Sequence, residues 1–318
     1  MEFASAMEDV VLIETQEQWE RLLDELGTLP CLAIDTESNG FFAYHERICL
    51  IQISTEATDY ILDPLAVVDL GGLNRVFADP GIEKVFHAAA NDISGLKRDF
   101  SFEFASVFDT AVACKMIGHR RLGLAHILED HFGVELNKKW QRCDWGRRPL
   151  SDEQLRYARL DTHYLLPLRR QLMAELEAQD LLAQAREAFA GACQVPAQEP
   201  RFLGNGINRI HGAGQLNRAA RAVLRTLCRH RDQMARQRDR APFRILGNET
   251  LLRLAERQPR DLDELYKIKG LPKTFRKGAQ AKRILSLIRQ GRSDPDPASA
   301  SPAEPAADDH PPSSQPLE

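Results

Sequence analysis

The sequence predicts a mixed α/β domain followed by a small all-α domain, and three observations carry that expectation. Apolar runs at 31–37, 47–54 and 58–63 are joined by short connections, which suit antiparallel neighbours. Further along, strand-like and helix-like stretches alternate, which adds helical crossovers to the initial meander. From residue 215 the periodicity is helical alone. A chain of 318 residues is long enough for two domains.

Taken in order, the three strands lead to a short helix at 70–78. Lys84-Val85-Phe86-His87 then reads as a strand, and Asp92 opens a helix that ends at Phe100. Val107-Phe108 is a further short strand, followed by helices at 110–117 and 122–132. The stretch KKWQRCDWGRRPL, 138–150, is a basic, aromatic loop. Ser151 and Gln154 then form a capping box, with Ser at N-cap and Gln at N3. The helix they open carries Leu155, Leu160, Leu165, Leu166, Leu168 and Leu172 and is expected to run to about 176, with another to about 191. Helices at about 215–238, 248–257, 261–268 and 275–290 make up the second domain.

These elements set the domain organisation. Residues 1–9 are an N-terminal segment, its first six either native or an appended scar. Residues 10–192 form the α/β domain, and 193–214, with glycines and prolines, the linker. Residues 215–292 form the helical domain, and 293–318 an acidic tail too polar to pack, expected to be disordered. Charge divides the same way. Residues 1–200 hold 19 Lys+Arg against 33 Asp+Glu, whereas 201–292 hold 23 against 7. A block this basic is a candidate nucleic-acid surface. The tail holds six acids and no base.

Composition excludes several classes. The six cysteines, at 31, 49, 114, 143, 193 and 228, contain no CxxC pair, so neither a zinc site nor a disulfide framework is expected. That pattern suits a reducing compartment, and the expected localisation is cytoplasmic. No apolar run approaches the ~18 residues of a membrane span. The N-terminus lacks the basic and apolar regions of a secretion signal.

Candidate chemistry lies in four acids. Asp35 and Glu37 end the first strand of the meander and, two residues apart, project to the same side. Like charges held that close repel unless a cation or a proton sits between them. Either the strand end faces bulk water, or it is half of a metal site. Asp92 stands in HAAANDISGL, and Asp161 in YARLDTHYLL, four residues after Tyr157 and on the same helix face. Singly, each acid has an ordinary explanation: a helix N-terminus for Asp92, a surface position for Asp161. Together they match hard Mg²⁺ or Mn²⁺, whereas zinc favours His or Cys. Two such ions activate a water and stabilise the leaving oxygen of a phosphodiester. Tyr157 beside them would orient that water or accept its proton.

IDTE, HAAANDISGL and YARLDTHYLL, in that order, resemble the three exonuclease motifs of the DEDDy 3′–5′ exonucleases. KKWQRCDWGRRPLSDEQLRYARLDTHYLL is similar to the ribonuclease D branch in particular, and residues 215–290 resemble an HRDC (helicase and RNase D C-terminal) domain. The resemblance implies a ribonuclease H-like fold and two divalent cations, Mg²⁺ or Mn²⁺. It makes Asp35, Glu37, Asp92 and Asp161 the ligands and gives Tyr157 the water. It implies release of 5′-mononucleotides from the 3′ end of RNA, with tRNA precursors or other structured RNA as substrates and no membrane partner. Where relatives carry an apolar residue after DTE, this chain has Ser38, so Phe41 or Phe42 is expected to stack on the terminal base.

Other residues divide between roles. His87 is either a substrate contact or a structural histidine. Asp109 is expected to cap the helix after it. Trp140, Trp145, Arg147 and Arg148 either pack internally or line the path of a single strand. His126 and His131, five apart, make a poor metal pair. Phe243 and Tyr266 are expected in the helical core. Two alternatives to an exoribonuclease stand beside it: a DNA exonuclease of the same fold, and a non-catalytic nucleic-acid-binding scaffold.

Overall fold

The computed structural model describes residues 10–136, 138–197, 207 and 210–293. The N-terminal segment, part of the linker and almost all of the acidic tail lie outside the described residues. The chain divides into two compact units: Met1–Leu203 with Arg238–Ala241, and Gly204–Gln237 with Pro242–Glu318.

The first unit is built on a six-stranded mixed sheet. Its strands are β1 (Val10–Ile13), β2 (Cys31–Ser38), β3 (Ile48–Ser54), β4 (Asp59–Leu62), β5 (Glu83–Phe86) and β6 (Val107–Asp109), in the spatial order β1-β4-β3-β2-β5-β6. The expected meander is β2-β3-β4, antiparallel throughout. β5 and β6 extend it in parallel from β2, and β1 lies parallel to β4 at the other edge. The acid-bearing strand therefore has a hydrogen-bonded neighbour on each side.

Helices cover both faces. α1 (Gln16–Leu26), α2 (Leu73–Ala78) and α3 (Ala90–Phe100) pack on the side of Leu32, Ile34, Ile51, Ile53 and Leu62, with Trp19, Leu22, Phe77 and Ile93 in the same core. α4 (Thr110–Met116), α5 (Leu124–Phe132), α7 (Leu165–Ala178) and α8 (Leu182–Cys193) bury Ala33, Val85 and Phe108 on the other side. Each such large apolar side chain withdrawn from water contributes roughly 1.5–3 kcal/mol. α6 (Asp152–His163) lies over Leu50 and Ile61 of the second face.

Two features depart from the sequence expectation. β1 and α1 were not anticipated, although Thr15 and Gln18 form a complete capping box and Trp19, Leu22 and Leu26 follow at helical spacing. The long helix expected from 151 to 176 is two helices, α6 and α7, divided at Tyr164. Pro167 supplies no N–H to the preceding turn, which explains a break there.

The second unit is all helical: α9 (Arg218–Gln237), α10 (Pro242–Ile245), α11 (Asn248–Arg257), α12 (Leu262–Tyr266) and α13 (Gly278–Ser293). Val223, Leu224, Leu227, Leu251, Leu254, Leu265, Phe275, Ile284 and Ile288 are buried within it. α13 approaches α9 so closely that a Cβ at Gly291 would lie 2.6 Å from the Val223 Cα. Phe243, expected in this core, is 48% exposed instead, beside the Arg244 guanidinium. It sits in a four-residue helix, too short to turn every apolar side chain inward. No helix among the described residues is long and apolar enough to cross a membrane.

Candidate active site

The four acids come together at one end of the sheet. Asp35 and Glu37 occupy the last half of β2, opposite Gln52 and Leu50 of β3. Asp92 lies in the first turn of α3, and Asp161 on α6 is buried, 8% exposed. The Thr36 hydroxyl donates to Asp92 Oδ1 at 2.5 Å, which ties the start of α3 to β2.

Electrostatics make the grouping plain. Burial first, then Asp92, Asp161 and Glu37, hold the Asp35 carboxyl well above the usual carboxylate range. Burial, then Asp161 and Asp92, does the same to Glu37. Burial raises Asp92 to about 6 against the Thr36 hydrogen bond, and burial with the Asp92 charge raises Asp161 to about 7. Four carboxylates that resist ionisation together need positive charge among them. Among the described residues no three His, Cys, Asp or Glu side chains are gathered as a ready-made metal cage. The donor set nonetheless fits hard divalent cations, being all carboxylate, partly withdrawn from water and self-repelling.

The Tyr157 hydroxyl faces the Asp161 carboxyl and works against the rise in its pKa. Burial, then the charges of Asp161, Glu37 and Asp35, push its phenol far up, so the hydroxyl keeps its proton. Behind it lies Trp145, 1% exposed, ring centroids 6.0 Å apart and planes at 29°. Trp145 is thus a wall of the tyrosine's slot, and the expectation that it stacks on a base is corrected: a buried indole offers no face to substrate.

Arg148 is corrected too. Its guanidinium pairs with Asp63, 1% exposed, and donates to the carbonyls of Trp145, Arg147 and Cys49 at 2.7–2.8 Å. It fastens the 138–150 loop to β3 and the end of β4. His87 is likewise structural, because its ring nitrogens meet Thr110 Oγ1 at 2.9 Å and the Leu122 carbonyl at 2.8 Å. Burial lowers its pKa, so the ring is held neutral. Phe41 is 45% exposed with the Arg142 guanidinium 5.7 Å from its ring, while Phe42 is half-buried. Arg147 is exposed and pairs with Asp144. Ser38 donates to Glu46 at 2.8 Å.

Sequence reasoning missed several supporting residues. Asp59, 7% exposed, accepts from Arg159 and Ser54 and meets His163 Nδ1 at 2.8 Å. The Ser54 hydroxyl meets that of Thr162 at 2.7 Å. Together these clamp α6, and with it Tyr157 and Asp161, to β3 and β4. An acid at each end of the apolar strand in TDYILDPL was the available signal. Asp109 caps α4 as expected, through the N–H groups of Ala111 and Val112. It also accepts from Ala88 and Ala89, both at 2.9 Å, and so holds the turn into α3, where Ala88 has φ +61°.

A mixed sheet with four carboxylates from β2, α3 and α6 is the arrangement of a DEDD-type exonuclease. Residues 10–177 match the 3′–5′ exonuclease family and 220–288 the HRDC domain, and the chain belongs to that exonuclease family. Its relatives make it ribonuclease D-like. It superposes on Escherichia coli RNase D, "an exoribonuclease involved in structured RNA processing", with TM-score 0.70 at 28% identity, covering 91% of this chain and 76% of that one. The catalytic core of RRP6 from Trypanosoma brucei gives TM-score 0.76 at 27% identity, over 91% and 81%. The exosome complex exonuclease RRP6 of Saccharomyces cerevisiae is 32% identical over 295 residues, and Protein RRP6-like 3 of Arabidopsis thaliana 35% over 280. These matches cover 88% and 80% of this chain but only 40% and 31% of the relatives' length. DEDD exonucleases depend on divalent metal.

Proposed function

We propose that the protein is a divalent-metal-dependent exonuclease that removes nucleotides one at a time from the 3′ end of RNA. The observation that carries this reading is the meeting of Asp35, Glu37, Asp92 and Asp161 beside the Tyr157 hydroxyl. The four acids would hold Mg²⁺ or Mn²⁺. Such ions supply an activated water and stabilise the departing oxygen.

The chain's own residues do the rest. Tyr157, fixed between Trp145 and Asp161, positions the attacking water by its hydroxyl. The Asp59 clamp and the Asp109 turn keep α6 and α3 in register with β2, so positioning is settled before substrate arrives. Water adds to the phosphorus as the bond to the preceding 3′ oxygen breaks, and its proton ends on that oxygen. A 5′-mononucleotide leaves, and the shortened RNA keeps a 3′-hydroxyl. Phe41, Phe42 and Arg147 are the side chains we assign to the terminal nucleotides, by stacking and by phosphate contact.

Structured RNA is the substrate class we favour, with tRNA precursors among its members. RNase D's description supports this. Relatives named as exosome components suggest protein partners as well. The six free cysteines fit a reducing compartment, and we place the protein in the cytoplasm. The test uses 5′-labelled RNA and DNA of one sequence with Mg²⁺, Mn²⁺ or EDTA, resolved at nucleotide level. We expect single-nucleotide shortening of RNA that EDTA stops. Internal cuts, EDTA-resistant cleavage or a preference for DNA would overturn the reading.

A further inference from the structure

Gln52 lies at the middle of β3, directly opposite Asp35 of β2 and Ile61 of β4. Its flanking same-face residues are Leu50, which packs with Ala158 of α6, and Ser54, which meets Thr162 of α6. Alternation along the strand therefore turns Gln52 toward α6, on the side of the sheet that carries Asp35. Directly opposed side chains start about 4.5–5.5 Å apart at Cβ, so the Gln52 side chain stands beside that of Asp35.

The side chain is 0% exposed, and neither its amide nitrogen nor its amide oxygen has a hydrogen-bond partner among the described residues. Buried polar groups are almost always paired, because leaving them unpaired destabilises the fold. A leucine or methionine here would fill the same space without that cost. An amide kept at the centre of the sheet, unpaired and beside four carboxylates, answers to something other than folding.

We infer that Gln52 is a positioning residue for the carboxylate site: its amide, directly or through one water, hydrogen-bonds the Asp35 side of the ligand shell when a divalent cation is held. The inference rests on the metal-dependent reading above. Outer hydrogen-bond partners of this kind fix the orientation of a ligating group, and their loss typically weakens metal binding 10–100-fold. The charges of Asp92, Asp161 and Glu37 repel the Asp35 carboxylate, and only the Thr36 backbone N–H is seen to work the other way. An amide offers it an N–H without adding charge.

The experiment titrates Mn²⁺ alone into the full chain, wild type against Gln52→Leu and Gln52→Met, by electron paramagnetic resonance, with thermal unfolding of the metal-free proteins alongside. We expect both variants to unfold at or above the wild-type temperature and to bind Mn²⁺ 10–100-fold more weakly. On RNA, kcat falls and KM barely moves. Mn²⁺ affinity within twofold of wild type in both variants would overturn the inference. So would failure of both variants to fold, since the amide would then serve the fold itself. If wild type shows no saturable Mn²⁺ binding, the metal-dependent reading falls, and this inference with it.

Discussion

The Tyr157 hydroxyl faces the Asp161 carboxyl one turn further along the same helix and works against the rise in its pKa. The two groups are linked through a rigid element, so removing the hydroxyl leaves the acid in place. Tyr157→Phe is expected to keep substrate affinity and lower kcat ~10²–10⁴-fold, the usual reach of a positioned proton-carrying group. Single-turnover cleavage of labelled RNA checks this, and a rate within threefold of wild type would mean that the tyrosine only packs against Trp145.

Asp35→Asn or Asp161→Asn removes charge from the carboxylate cluster. Cleavage should disappear while RNA binding persists. Mn²⁺ should raise the unfolding temperature of wild type and raise that of either variant much less, because only a site that binds the ion is stabilised by it. A variant with wild-type turnover would remove that acid from the site.

Asp59 concerns the helix rather than the chemistry. Burial works to raise its pKa, but hydrogen bonds from His163, Ser54 and Arg159 overcome it and the value is lowered. A carboxylate with a folded-state pKa below its unfolded one contributes stability above the unfolded value, near pH 4, and loses it as the pH falls through the folded one. Asp59→Asn leaves a half-buried Arg159 without its counter-charge and should destabilise the first unit by about 3 kcal/mol at pH 7. Urea unfolding at pH 7 and pH 3 is the check: the gap between wild type and variant should be smaller at the lower pH.

Lys84 gives the opposite signature. It is 0% exposed, donates to the carbonyls of Asp79 and Ile82, and burial brings its pKa down to about 8. Between pH 8 and about 10.5 the unfolded chain then holds a proton that the folded one has lost, so stability rises with pH across that window. The rise is at most about 3 kcal/mol. Lys84→Met should lack it, and equal pH slopes for the two proteins between pH 8 and 10 would refute the assignment.

On the second unit, Arg221, Arg229 and Arg236 lie exposed at three- to four-residue multiples along α9. If they meet phosphates, replacing all three with alanine should flatten the slope of log K against log salt for single-stranded RNA by about 2. Cleavage of short RNA should be unaffected. An unchanged slope would leave the arginines as a solvated face.

The meander, the crossovers and the helical second unit were legible because each rests on local periodicity and turn spacing. Asp35, Glu37, Asp92, Tyr157 and Asp161 were legible because their motifs occur in a fixed order. Trp145 and Arg148 were not, since a basic aromatic loop reads the same whether it faces solvent or the back of a tyrosine. Only the carbonyls around Arg148 and the indole's burial separate those cases. β1 escaped notice because four apolar residues at a sheet edge carry little pattern, and α1 although its capping box was present. Asp59 acts through partners distant in sequence, and no spacing rule reveals such pairs.

β2 sits between β3 and β5, and its acids are completed only by α3 and α6. The site therefore draws on three separate segments of the chain. A chain broken off before α6 lacks Tyr157 and Asp161 and cannot complete the site.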